Sequence, residues 1–200
     1  WQEGPSVDSL TFQVVPEDAA RIAMLQTGEA DVIFPVPTTD VSQIENDPSI
    51  IIDVAPATTY RYVTLNTEWA LPDGRKPFAD KRVRQAFNYA FDSEAYAKVV
   101  FNGYAKEPTS IFSDSIRFYA EQTPYKPDLE KAKALMKEAG FEDGFDVELI
   151  VDNTTIEQKG AVFVQQQLSQ INVNVKVLPN ESTANAEKTS APLEDTTVQM

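Results

Sequence analysis

Three blocks of helical periodicity, separated by short apolar runs, constrain what this chain can fold into. In the first, Ala19, Ile22, Ala23 and Gln26 share one face with Leu25 beside it, the i, i+3, i+4, i+7 spacing of an amphipathic helix. Pro16 suits the start of that helix and Gly28 its stop. Val32-Ile33-Phe34, closed by Pro35, then reads as a short buried strand, and residues 10–15 read as another upstream. Residues 10–36 are therefore predicted to form a strand–helix–strand unit with parallel pairing.

The second block places Val83, Ala86, Phe87 and Ala90 on one apolar stripe, with Lys81, Arg82 and Arg84 mostly on the wet side. Asp80 is positioned to cap its start, and Asp92 to open a further helix closed by Gly103. The third block aligns Leu129, Ala132, Leu135, Met136 and Ala139 between a capping Asp128 and a terminating Gly140. Helices are predicted near 17–27, 39–46, 79–91, 93–102, 128–139 and 156–170. Strands are predicted near 10–15, 31–36, 50–55, 145–151 and 173–178, and the alternating run 58–67 reads as one more. The class is α/β. Residues 71–77 form a turn-rich loop, and 182–197 a polar stretch poor in aliphatics.

Composition excludes several functions. The 200 residues carry a net charge of −14, which disfavours nucleic acid and anionic membrane surfaces. There is no Cys, so no disulfide framework and no thiol chemistry, and no His, the commonest general base. No Ser-His-Asp set or Gly-x-Gly-x-x-Gly loop is present. Only oxygen ligands remain for a metal, and Asp143-Gly144-Phe145-Asp146 lacks the EF-hand pattern. No catalytic residues, metal ligands or cofactor are predicted. No run of 18 apolar residues occurs.

The ordered set of blocks resembles the family 5 extracellular solute-binding proteins, the peptide-, nickel- and glutathione-binding components of bacterial ABC importers. The helix with Gly28-Glu29-Ala30-Asp31 is similar to that family's helix and acidic turn. Tyr62-Val63-Thr64-Leu65-Asn66-Thr67, then Pro77-Phe78 and Arg84-Gln85-Ala86-Phe87-Asn88-Tyr89-Ala90, is similar to its crossover into a second lobe. Gln165-Gln166-Gln167-Leu168 through Val173-Asn174-Val175 is similar to a later helix and strand. Ile33-Phe34-Pro35-Val36-Pro37 with Tyr60-Arg61-Tyr62 points to the glutathione- or dipeptide-binding branch.

The resemblance implies a periplasmic-binding-protein-like, two-lobed type II fold of the peptide-binding class. Residues 1–57 would belong to the lobe holding both termini, 58–77 to the crossing strand and loop, and 78–200 to the second lobe. Starting at Trp1-Gln2-Glu3-Gly4 and stopping at Met200, the chain is expected to be an internal fragment covering parts of both lobes. The implied function is capture of a short peptide or glutathione-like solute outside the cytoplasm, by a monomer that delivers it to ABC permease subunits and that a lipid anchor can tether. A signalling or chaperone-like module on the same fold, or a nickel- or haem-complex carrier, is the alternative.

Tyr60, Arg61 and Tyr62 are the candidate ligand-binding residues. A guanidinium can clamp a carboxylate with parallel hydrogen bonds, and tyrosine rings offer an apolar face with a hydroxyl. Strand alternation sends Arg61 opposite to the two tyrosines. The solute's carboxylate would meet Arg61 or a helix N-terminus, and the family's partner for its amine is expected beyond Met200. Tyr104 and Phe112 are expected to pack locally, Arg82 and Arg84 to be solvated on a helix face, and Glu29 and Asp31 to form a polar turn.

Overall fold

The computed structural model describes residues 4, 6–55 and 57–190. Trp1, Gln2 and Glu3 of the opening tetrapeptide, and residues 191–197 of the polar stretch, lie outside the described residues. The chain packs as two compact units, Trp1–Val54 and Ala55–Met200.

The first unit is built around one helix. Helix α1 (Asp18–Thr27) ends at Gly28, whose N–H donates to Leu25 O, and Glu29 donates to Met24 O in the turn that follows. Glu29 and Asp31 are both exposed in that polar turn, as expected. Ile22, Val41 and Ile44 are buried. Arg21 pairs with Asp18 and donates to Val15 O at 2.9 Å, tying the incoming chain to the helix.

Two expectations fail in this unit. The segments 10–15, 31–36 and 50–55 form no strands, so the strand–helix–strand unit predicted for 10–36 is absent. Leu10, Phe12, Val14, Val32, Phe34 and Ile51 stand 72–94% exposed. Strand propensity is a preference for a half-buried pleated surface, and it is realised only when a neighbouring strand takes up the backbone groups and packs the side chains. The helix predicted at 39–46 contracts to a 3-10 turn, Val41–Gln43. Three of its bonds are i→i+3, Gln43 to Asp40, Ile44 to Val41 and Asp47 to Ile44, with one i→i+4 bond from Glu45 to Val41, and Pro48 with an Asp47-capped Ser49 stops propagation.

The second unit is an α/β body. A 3-10 turn (Pro77–Ala79) leads into α2 (Lys81–Ala90), followed by α3 (Ser93–Phe101), α4 (Leu129–Glu138), β1 (Phe145–Asp152), α5 (Thr155–Ser169), β2 (Val173–Asn180) and α6 (Ser182–Ser190). The capping aspartates act as predicted: Asp80 accepts from Arg82 N, Asp92 from Ala95 N and Asp128 from Lys131 N. Strands β1 and β2 pair in parallel from Phe145↔Val173 to Asp152↔Asn180, with α5 as the crossover. Helix α6 was not foreseen: it buries no residue, and Asn185 Nδ2 donates to Asp152 Oδ1 of β1 at 2.6 Å.

Phe78 is fully buried at the centre of the core, its ring 5.5 Å from Trp69, 5.5 Å from Phe87 and 5.8 Å from Phe145. The apolar stripes of α2 and α4 close on it through Val83, Ala86, Ala132 and Met136. Arg82 lies exposed on the wet side of α2 as expected, and Arg84 is partly buried. Arg82 pairs with Asp80 at 2.6 Å and donates to Glu138 O at 2.7 Å, while Arg84 donates to Phe78 O at 2.7 Å. Both serve as staples because helix ends and 3-10 turns leave carbonyls without backbone partners.

Candidate functional site

The segment carrying Tyr60, Arg61 and Tyr62 is not a strand, contrary to the expectation for 58–67, since no neighbouring strand is available to it among the described residues. Alternation of side chains nonetheless holds. The Tyr60 and Tyr62 rings lie 5.4 Å apart at an interplanar angle of 32°, and they are 43% and 72% exposed. Arg61 turns away from them toward α3 and α5. Its Nη1 sits 2.6 Å from Glu157 Oε1, and its guanidinium carbon lies 5.8 Å from the Phe101 ring centre.

Sequence reasoning named the three consecutive residues and missed Glu157, Tyr96 and Phe101, which complete the cluster. Glu157 stands in the first turn of α5, where a carboxylate is favoured by the helix dipole. Tyr96 packs among Phe91, Phe101 and Phe163. A Cβ on Gly160 would fall 2.6 Å from the Tyr96 hydroxyl, so the bare glycine lets α3 and α5 approach here. Burial pushes the Tyr96 hydroxyl above its ordinary pKa; the charge of Glu157 adds to this and that of Arg61 opposes it. One signal for Glu157 was present in the sequence: Thr154-x-x-Glu157 is a helix-start pattern. Its partner could not be read there.

Tyr104 and Phe112 do not pack away as expected; they are 42% and 56% exposed. Their loop is drawn to the candidate segment, where Ser113 Oγ donates to Ala57 O at 3.1 Å. A separate open groove, lined by Tyr89, Pro124, Tyr125, Lys126 and Asp128, shares no residue with this cluster. Its lysine is already paired, at 3.1 Å from Glu107 and 3.7 Å from Glu94. Among the described residues no group of three carboxylates could hold a metal ion. No described helix is long and apolar enough to cross a membrane.

An exposed tyrosine pair beside an arginine–carboxylate pair is equipped to bind a small charged solute. The family model for bacterial extracellular solute-binding proteins, family 5 Middle, matches residues 1–199. The chain belongs to this family. It is 37% identical over 179 residues to the glutathione-binding protein GsiB of Salmonella typhimurium strain LT2, covering 88% of this chain and 34% of that protein. The Escherichia coli K12 GsiB matches to the same extent.

Solved structures agree. DppA of Helicobacter pylori in complex with the peptide STSA superposes with a TM-score of 0.78 at 32% identity, over 88% of this chain and 33% of that one. NikA of Brucella suis in complex with Fe(III)-EDTA superposes at 0.79 with 23% identity, over 94% of this chain and 40% of that one, a likeness of fold alone. The fold class is thus the periplasmic solute-binding α/β fold, and the chain spans about a third of the length of the curated relatives it matches. These relatives are solute-binding proteins, not enzymes.

Proposed function

We propose that this chain is part of the substrate-binding component of an ABC importer. The protein captures a short peptide or glutathione-like solute outside the cytoplasm and delivers it to membrane permease subunits, with no covalent chemistry on the solute. The observation that carries this reading is the 37% identity to glutathione-binding proteins across 88% of the chain. Likeness to a peptide-bound DppA at a TM-score of 0.78 supports it.

Tyr60, Arg61 and Tyr62 are this chain's contribution to the site. The two exposed rings supply an apolar face with hydroxyls at its edge. Arg61 offers guanidinium donors beyond the one that meets Glu157 to a solute carboxylate.

Isothermal titration of the intact protein with glutathione and with di- to pentapeptides tests this. Saturable binding of either class, weakened by Tyr62→Ala and Arg61→Ala, is the expected result. Absence of binding to every such solute would refute it. A second reading, a module that docks a protein partner, draws on the exposed apolar side chains of the first unit. Saturable solute binding weakened by those two substitutions would exclude it.

A further inference from the structure

The loop between α3 and α4 is closed on itself. Gln122 N donates to Thr109 O at 2.8 Å where its two ends meet, and the Thr109 and Tyr119 hydroxyls are bonded across it. Ile116 N donates to Ser113 O at 3.0 Å and Tyr119 N to Ile116 O at 3.1 Å, so successive tight turns form its tip. Lys106 pairs with Asp114 at 2.5 Å. Segment 109–122 thus has the character of an Ω-loop, whose ends are close and whose own groups hold its shape.

Such a loop packs on its own side chains, yet Ile111, Phe112 and Phe118 are 65%, 56% and 88% exposed. Phe118 sits at φ 69, a left-handed conformation that is costly for a bulky residue. The exposure therefore belongs to a cross-tied backbone, not to a frayed one. Apolar side chains grouped and presented in this way mark a surface that binds something.

One contact joins this surface to the candidate site. Ala57 O can only accept, so the Ser113 hydroxyl places its one proton there, at 3.1 Å. Ser113 Oγ then accepts from Ser115 Oγ at 2.8 Å and Ser115 N at 3.3 Å, which fixes its direction. The residue next to Phe112 is thereby fastened to the segment that carries the exposed Tyr60–Tyr62 pair. Phe118, in contrast, has the Arg117 guanidinium carbon 4.8 Å from its ring centre, which leaves Phe112 as the uncommitted ring. The tyrosine hydroxyls can meet a solute's amide groups, whereas a phenylalanine ring offers only a hydrocarbon surface.

We propose that Phe112 is a specificity-determining residue of the solute site and that it selects peptides presenting an aliphatic side chain. This inference rests on the solute-capture reading above and names the side-chain class that the site prefers.

The test is titration calorimetry of the intact protein, wild type, Phe112→Ala and Phe112→Leu, with trialanine, trileucine and glutathione. Circular dichroism checks each variant for folding. Wild type is expected to bind trileucine more tightly than trialanine. Phe112→Ala is expected to weaken trileucine about tenfold, as loss of part of an apolar wall requires, while leaving trialanine within about twofold. Phe112→Leu keeps most of the preference. Equal weakening of both tripeptides by Phe112→Ala would show a merely structural ring and overturn the inference. An unchanged preference in Phe112→Ala would overturn it too and leave the loop's apolar side chains to another occupant, such as a protein partner. Binding of glutathione with both tripeptides refused would overturn it while leaving solute capture intact. Binding of none of the probes would overturn both.

Discussion

Substituting Gly144 by alanine tests the packing at the mouth of the parallel strand pair. Gly144 has φ +72, and a Cβ there would lie 1.7 Å from Asn172 O and 2.3 Å from Asn172 C. The obstacle is backbone, which cannot swing aside as a side-chain tip can. Asn172 is itself fixed, with φ 61 and its Nδ2 donating to Glu142 O at 2.9 Å. The next residues, Phe145 and Val173, form the first register pair and are 8% and 0% exposed. Relieving the clash therefore pulls two core side chains with it. Left-handed strain contributes about 1–2 kcal/mol and overpacking about 1–3 kcal/mol, so Gly144→Ala should destabilise by about 2–5 kcal/mol. Gly140→Ala is the internal control: its φ is +80, but nothing lies within 4 Å of its Cβ. Strain alone predicts about 1–2 kcal/mol there. Urea unfolding followed by far-UV circular dichroism, with slopes unchanged between variants, gives both numbers. A Gly144→Ala variant no less stable than Gly140→Ala would refute the claim that the Asn172 carbonyl closes this site.

Three further outcomes follow from the same structure. Phe78→Ala removes a ring packed on Trp69, Phe87 and Phe145 and should cost about 3–5 kcal/mol by urea unfolding. The side-chain hydrogen bond from Arg82 is the main cause holding the Asp80 carboxyl below its ordinary pKa, with burial opposing. Because the folded-state value is the lower one, the stability it contributes is present above the ordinary carboxyl value of 3.8 and fades as pH falls below it, so Asp80→Asn should flatten the acid limb of a stability–pH curve. Alanine replacement of Arg61, Glu157 and both should give a coupling of only about 0–1 kcal/mol in thermal unfolding, since the pair is half-exposed. A larger coupling would make the pair structural.

What could be read from the residues alone was what local physics decides. The stripes at 83–90 and 129–139, with their aspartate caps, needed only near neighbours in sequence, and the helices formed where those signals lie. The β1–α5–β2 passage was legible for the same reason: two alternating runs flank a helix long enough for a parallel crossover. The apolar run at 31–36, the strand candidates at 10–15 and 50–55 and the alternating run at 58–67 form no strand, because a ladder requires a second strand that the segment itself cannot supply. The family was legible in the order of motifs, and side-chain chemistry was enough to name Tyr60, Arg61 and Tyr62 as candidates. Only the tertiary structure could seat Glu157, Phe101 and Tyr96 beside Arg61, because those partners come from helices whose packing on one another, not their sequence spacing, sets the distances.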